Sequence, residues 1–167
     1  MRLKLQLQSI WLTAHKPKKT EGAYKMAKLL VAVDGSENSA RVIDFLVKES
    51  ALYKAPIELH LLNAQMTMGG VNVKMFISAD SLNQYYKEEG EKALAPAKAK
   101  LDAAKIPYTP HISVGDPADV IAAFVKSQGC DRIVMGSRGL GAVSGLVLGS
   151  VATKVLHLTQ VPITLIR

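Results

Sequence analysis

The sequence predicts a single α/β domain, a doubly wound five-stranded parallel sheet with helices on both faces. Three observations carry the prediction. From Met26 onward, short unbroken apolar runs alternate with longer amphipathic stretches in the order β-α-β-α-β-α-β-α-β, which specifies parallel strands joined by helical crossovers. Hydrophobic residues make up 49%, charged residues 21% and aromatics only 5%, a composition that favours stacked aliphatic layers over a disordered chain or an all-β sandwich. The 167 residues suit one domain with a sizeable core.

Each element has its own local cause. KLLVAV (28–33) is a continuous apolar run, as expected of a strand buried on both faces, and Asp34-Gly35-Ser36 closes it. Helix-start chemistry at Ser36 to Ser39 opens a helix in which Val42, Phe45, Leu46 and Leu52 recur at helical spacing. Pro56 resets the chain, and IELHLLNA (57–64) is the second strand. A long loop with Gly69–Gly70 follows, in which residues 69–80 suggest no role beyond a lid. The polar-faced stretch 81–105 predicts a helix bent near Pro96, and YTPHISV (108–114) the third strand.

The strongest local signal comes next. Asp116 can cap a helix, Pro117 fits its first position and Gly129 closes it. CDRIVMG (130–136) is the fourth strand, SVATKVLHL (150–158) the last helix and PITLIR (162–167) the fifth strand.

The formal charge of +7 sits mostly outside this domain. Residues 1–25 hold six basic residues against one acid, whereas the remainder holds fifteen against thirteen. No basic stripe for nucleic acid is therefore indicated. In the leader, Leu3, Leu5 and Leu7 alternate with polar residues, and a polar break with Pro17 and Gly22 follows. It lacks the apolar core and cleavage site of a signal peptide. Two readings stay open: a basic extension of unknown role ahead of a functional domain at 26–167, or an added strand or membrane-surface arm. The single cysteine, Cys130, excludes an intramolecular disulfide, and His15, His60, His111 and His157 are widely spaced in the chain. A reducing cytoplasm is the expected compartment.

Function turns on the stretch VMGSRGLGAVSGLVLGSVATKV (134–155). As a membrane helix it would use Gly141, Gly145 and Gly149, but the run between Arg138 and Lys154 is fifteen residues, short of the roughly twenty a span needs. As a dinucleotide fingerprint it has Ser144 where a third glycine belongs, and it sits in the last crossover instead of the first. As a P-loop it fails because Ala142–Val143 stands where Lys–Ser/Thr is needed. The remaining reading is a backbone cradle. Gly136 ends a strand, Gly139 lets the chain turn without a Cβ in the way, and Gly149–Ser150 opens a helix whose free N–H groups and positive end would face an anion.

Gly136-x2-Gly139-x9-Gly149–Ser150 resembles the nucleotide motif of the universal stress protein family. LLVAVDGS, LHLLNA, VGDPADVI and VPITLIR fall in the family's order, so the likeness spans residues 26–167. The resemblance implies the adenine nucleotide alpha hydrolase-like sheet with strand order 3-2-1-4-5, and binding of ATP (or ADP or AMP) with Mg²⁺. It implies that Asp34 faces the ribose or a phosphate-bound metal, that Ala32 lies near the nucleoside, and that Ala64 offers its backbone to adenine. Gly136, Gly139, Gly149 and Ser150 would hold phosphates, helped by the Val151 N–H. Arg138 is either an added phosphate contact or solvent-facing. Asp34 could instead stabilise its turn, and Ser150 could be a helix N-cap. Ala32 departs from the proline often found there. Cys130 and His111 read as packing residues, and Met66, Met68 and Met75 as cover for hydrophobic surface.

The expected function is a stress-response homodimer that signals by nucleotide occupancy, with no nucleic-acid partner and no membrane span. No Walker lysine and no evident base are present, so at most slow or partner-stimulated ATP hydrolysis is expected. The dimer is expected through the edge strand Pro162 to Arg167, and Thr164→Pro is expected to weaken it by removing a ladder donor. The alternatives are a small enzyme, a dinucleotide oxidoreductase or transferase, and an interaction module independent of nucleotide.

Overall fold

The structure, a computed structural model, describes residues 27–50, 56–68, 78–141 and 147–167. The leader, Leu52, Met75 and most of the expected lid lie outside the described residues. Among these residues nine elements follow in chain order: β1 (Ala27–Ala32), α1 (Glu37–Ser50), β2 (Ile57–Gln65), α2 (Ala79–Ala103), β3 (Thr109–Val114), α3 (Pro117–Gln128), β4 (Arg132–Gly136), α4 (Ser150–Leu158) and β5 (Ile163–Ile166). All strand pairs are parallel, and the order is β3-β2-β1-β4-β5. The alternation is the one read from the residues, and the order is the one that the family resemblance implies.

The pleat of β1 explains how one short apolar run supports two cores. Leu29, Val31 and Val33 point to one face, where they meet Val42, Ile43 and Leu46 of α1 and Leu94, Ala97 and Leu101 of α2. Leu30 points to the other, against Ala118, Ile121 and Val125 of α3 and Ala152 and Val155 of α4. Leu30 and Val31 are both fully buried, and burial of each such side chain contributes about 1.5–3 kcal/mol. The first two crossovers thus cover one face and the last two the other, so the winding direction reverses between β1 and β4.

Helix boundaries follow capping chemistry. Asp116 Oδ1 accepts from Ala118 N–H and Asp119 N–H, Pro117 sits in the first turn, and Gly129 ends α3 in the left-handed conformation at φ 63°. Ser78 Oγ accepts from Ser81 N–H, which starts α2 two residues earlier than the hydrophobic spacing suggests. The helix is continuous through Pro96.

β5 makes its inward bonds through alternate residues. Ile133 N–H donates to Pro162 C=O at 3.0 Å, and Ser137 N–H donates to Ile166 C=O at 2.7 Å. With Thr164 in register with Val134, the parallel pattern directs the Thr164 N–H inward to β4 as well. The backbone groups of Ile163 and Leu165 face away from the sheet. Thr164→Pro would therefore remove a bond within the monomer, which corrects the expectation that it probes the outer edge.

The β2–β3 pairing assembles a group that sequence spacing hides. Nδ1 of His60 lies 3.0 Å from Nε2 of His111, Nε2 of His60 lies 3.1 Å from Glu58 Oε1, and the Phe124 ring packs edge-on against both imidazoles. Burial first, and then the neighbouring His60, pushes the His111 imidazole below its ordinary value. Cys130 is buried on the α3–α4 side, and burial raises its thiol pKa. Cys130 thus packs within that core, whereas His111 is held by its contacts with His60 and Phe124.

Candidate functional site

A crevice opens at the carboxyl ends of the strands where the winding reverses, the expected ligand position in such a sheet. A cavity of about 580 Å³ fills it, within the range of small-molecule sites. All nine residues singled out from the sequence, Ala32, Asp34, Ala64, Gly136, Arg138, Gly139, Gly149, Ser150 and Val151, line this one cavity. They come from three strands, two loops and one helix start.

The floor is apolar. Leu62, Ile121, Met135 and Ala152 reach it from the core on the α3–α4 side. Ala32 and Ala64 continue the same pleat, and their small side chains keep the crevice open above β1 and β2. Leu62 C=O accepts from Val33 N–H at 3.0 Å. Strand alternation then directs the Ala64 amide and carbonyl over the end of β1, where a planar polar group could bond them.

The opposite wall is the start of α4. Gly149 is the N-cap, with φ −79° and ψ 162° and no side-chain capping bond; Ser150 is the first helical residue, which corrects its reading as the cap. The Gly149 N–H donates to Ser137 C=O at 2.7 Å. Ser150, Val151 and Ala152, whose amides belong to the first turn and have no carbonyl partner within the helix, are among the residues that line the cavity. The first turn of α4 carries no acid, whereas α1, α2 and α3 begin with Glu37, Asp80 and Asp119. The positive end of α4 is thus left uncompensated by its own side chains.

The loop after β4 closes the third side, and it is held from several directions. Asn38 Nδ2 donates to Arg138 C=O at 3.0 Å. Asp34 accepts at Oδ1 from Ser36 N–H (3.0 Å) and Ser39 Oγ–H (2.7 Å), and at Oδ2 from Leu140 N–H (2.9 Å). Burial works to raise the Asp34 carboxyl, but these hydrogen bonds outweigh it and hold the group below the ordinary carboxylate value. Ser137 Oγ and Arg138 Nε are buried without a hydrogen-bond partner among the described residues. Buried polar atoms of this kind normally have a partner, so a polar ligand or water fits here.

None of the three motif glycines adopts a positive φ, a conformation seen instead at Gly35, Gly115 and Gly129. Space is what requires them. A Cβ on Gly149 would lie 3.3 Å from Arg138 Cα and one on Gly136 2.9 Å from Arg138 O. Sequence reasoning missed Ser39, Asn38 and Ser137. The spacing of Asp34, Ser36 and Ser39 in DGSENS was the available signal for the first; nothing in the sequence pointed to the other two.

The sequence model of the universal stress protein family matches residues 26–167. Universal stress protein YxiE of Bacillus subtilis is 32% identical over 145 residues, covering 84% of this chain and 98% of that protein. The chain belongs to the universal stress protein family. Solved structures agree on the fold. Universal stress protein UspA from Lactobacillus plantarum superposes with a TM-score of 0.69 at 19% identity, covering 84% of this chain and 97% of that one. A family member from Arabidopsis thaliana with AMP bound matches at 0.59 and 22%, covering 84% and 90%. The universal stress protein from Archaeoglobus fulgidus in complex with dAMP matches at 0.58 and 22%, covering 84% and 98%. Among the described residues, no helix is long and apolar enough to cross a membrane, and no group of three or more His, Cys, Asp or Glu could hold a metal ion.

Proposed function

We propose that this universal stress protein binds an adenine nucleotide, ATP in preference to ADP or AMP, and works as an occupancy-dependent signalling homodimer in the cytoplasm. One observation carries the reading. A single cavity joins an apolar floor, suited to a base, to a wall of residues rich in donors: Ser150, Val151 and Ala152 of the first turn of α4, and Arg138. Asp34 is the one acid among its described lining residues, and its oxygens already accept hydrogen bonds. Such a wall suits a polyphosphate. That AMP and dAMP are bound by family members of the same fold supports the adenine part.

In this reading Ala64 meets the base through its backbone, Ala32 lies under the nucleoside, and Gly136, Gly139, Gly149, Ser150 and Val151 hold phosphate. Mg²⁺ would arrive with the nucleotide and neutralise phosphate charge. No lysine is among the described residues that line the cavity, and the Asp34 carboxylate is engaged with Ser36, Ser39 and Leu140. Binding without rapid hydrolysis is therefore expected, and ADP release faster than roughly one per second would contradict it.

Calorimetric titration with ATP, AMP and NAD tests the reading. ATP should bind most tightly, and Gly149→Val, whose branched side chain enters the 3.3 Å gap to Arg138 Cα, should weaken it at least about tenfold. Tighter binding of NAD would favour the dinucleotide-enzyme alternative; no heat with any nucleotide would favour the interaction module.

A further inference from the structure

We propose that Asp34 acts as a positioning residue: its carboxylate sets the shape of the 137–141 loop, and Gly139 is glycine because that carboxylate occupies the space of its Cβ. The inference rests on the nucleotide reading of the cavity but gives Asp34 a role other than contact with ribose or metal.

The geometry is specific. A Cβ on Gly139 would stand 2.3 Å from Asp34 Oδ2 and 3.4 Å from Asp34 Cγ, and beyond its two chain neighbours no other atom of the described residues comes within 4 Å of it. The same Oδ2 accepts the Leu140 N–H at 2.9 Å. Oδ1 is fixed from its own side by the Ser36 amide and the Ser39 hydroxyl, and Ser39 Oγ in turn accepts the Asp34 N–H at 2.9 Å. Ser39 is 6% exposed. The carboxylate is therefore anchored on the β1–α1 turn and reaches across to the β4–α4 loop. Asn38 makes the parallel link from α1 to Arg138 C=O, one residue before Gly139. Together they set the path of the loop that carries the motif's second glycine, and the Ser137 C=O to Gly149 N–H bond passes that position to the start of α4.

Asp34→Asn tests this on the full chain. Its amide can keep one acceptor for the β1–α1 turn while placing an NH₂ donor against the Leu140 N–H. Affinity for ATP should fall about tenfold or more, while affinity for adenosine stays within about twofold, because only the phosphate wall moves. Equal losses for ATP and adenosine would mean direct ribose contact and overturn the proposal. A loss seen with Mg²⁺ but absent in EDTA would mean metal ligation and would overturn it too.

A second measurement needs no nucleotide. In urea unfolding, Gly139→Ala should be clearly destabilising in the native background and nearly neutral in Asp34→Ala, where the colliding oxygen is gone. Equal costs in both backgrounds would refute the assignment. If the wild-type chain binds no nucleotide, the functional reading fails while this coupling still decides the role of Asp34.

Discussion

The alternation of bonds along β5 makes the proposed dimer edge testable by a matched pair of substitutions. Pro162, Thr164 and Ile166 face β4, whereas the N–H groups of Ile163 and Leu165 face outward. Leu165→Pro removes one outward donor and leaves the β4 ladder intact. Its side chain is half-buried against the α3–α4 layer, so the truncation must be controlled, and Leu165→Ala is the control. In a twofold-symmetric dimer the donor is lost twice. At about 0.5–1.5 kcal/mol per backbone bond, the difference between the two variants is about 1–3 kcal/mol. That weakens the dimer roughly 5- to 150-fold. Sedimentation equilibrium over a dilution series measures both constants. Thr164→Pro should instead lower monomer stability through the lost bond to β4. Identical dimer constants for Leu165→Pro and Leu165→Ala would refute the edge assignment.

Two further predictions concern the scaffold. Gly90→Ala in α2 should destabilise the protein in urea melts. The new Cβ would lie 2.6 Å from Ile112 Cγ2, and overpacking costs about 1–3 kcal/mol against a gain in helix propensity of about 1 kcal/mol. Pairing it with Ile112→Ala should cost less than the sum of the two, and a stabilising Gly90→Ala would contradict the packing. His111, depressed below its ordinary 6.5, binds its proton less readily folded than unfolded. Its contribution is present above the unfolded value and is lost as pH falls through the folded one. The melting temperature should therefore drop between pH 7 and 5, with a shallower drop in His111→Gln; an unchanged slope would remove His111 as the cause.

The elements of the fold were legible because their causes are local, whereas the strand order came with the family resemblance. The unbroken run Leu29 to Val33 signals a strand buried on both faces, and Asp116, Pro117 and Gly129 fix α3 to the residue. The pairing of His60 with His111 was not legible, since it depends on the β2–β3 register across 51 positions. The direction of the Thr164 amide was hidden for the same reason. It follows from which residue of β5 lies opposite Val134, and no pattern within PITLIR states it.

The candidate site shows the same division at finer scale. Spacing alone named glycines 136, 139 and 149, because a backbone wall has to omit side chains wherever two loops meet. The reason for each omission is tertiary. Gly149 is small because Arg138 Cα crosses it, and Gly139 because the Asp34 carboxylate approaches from a turn 105 residues earlier. A glycine motif of this kind therefore records the packing of the empty protein as well as the outline of a ligand. The two contributions separate only by experiment: a glycine needed for packing couples to its neighbour in the absence of nucleotide, whereas one needed for phosphate affects affinity alone. Gly139 meets the packing criterion whatever its backbone does for phosphate, so Gly139→Ala should destabilise the ligand-free chain. Gly149→Ala should cost less in stability, because a neighbour at 3.3 Å need yield only a few tenths of an ångström, whereas the Asp34 carboxylate would have to leave its hydrogen bonds to Ser36, Ser39 and Leu140.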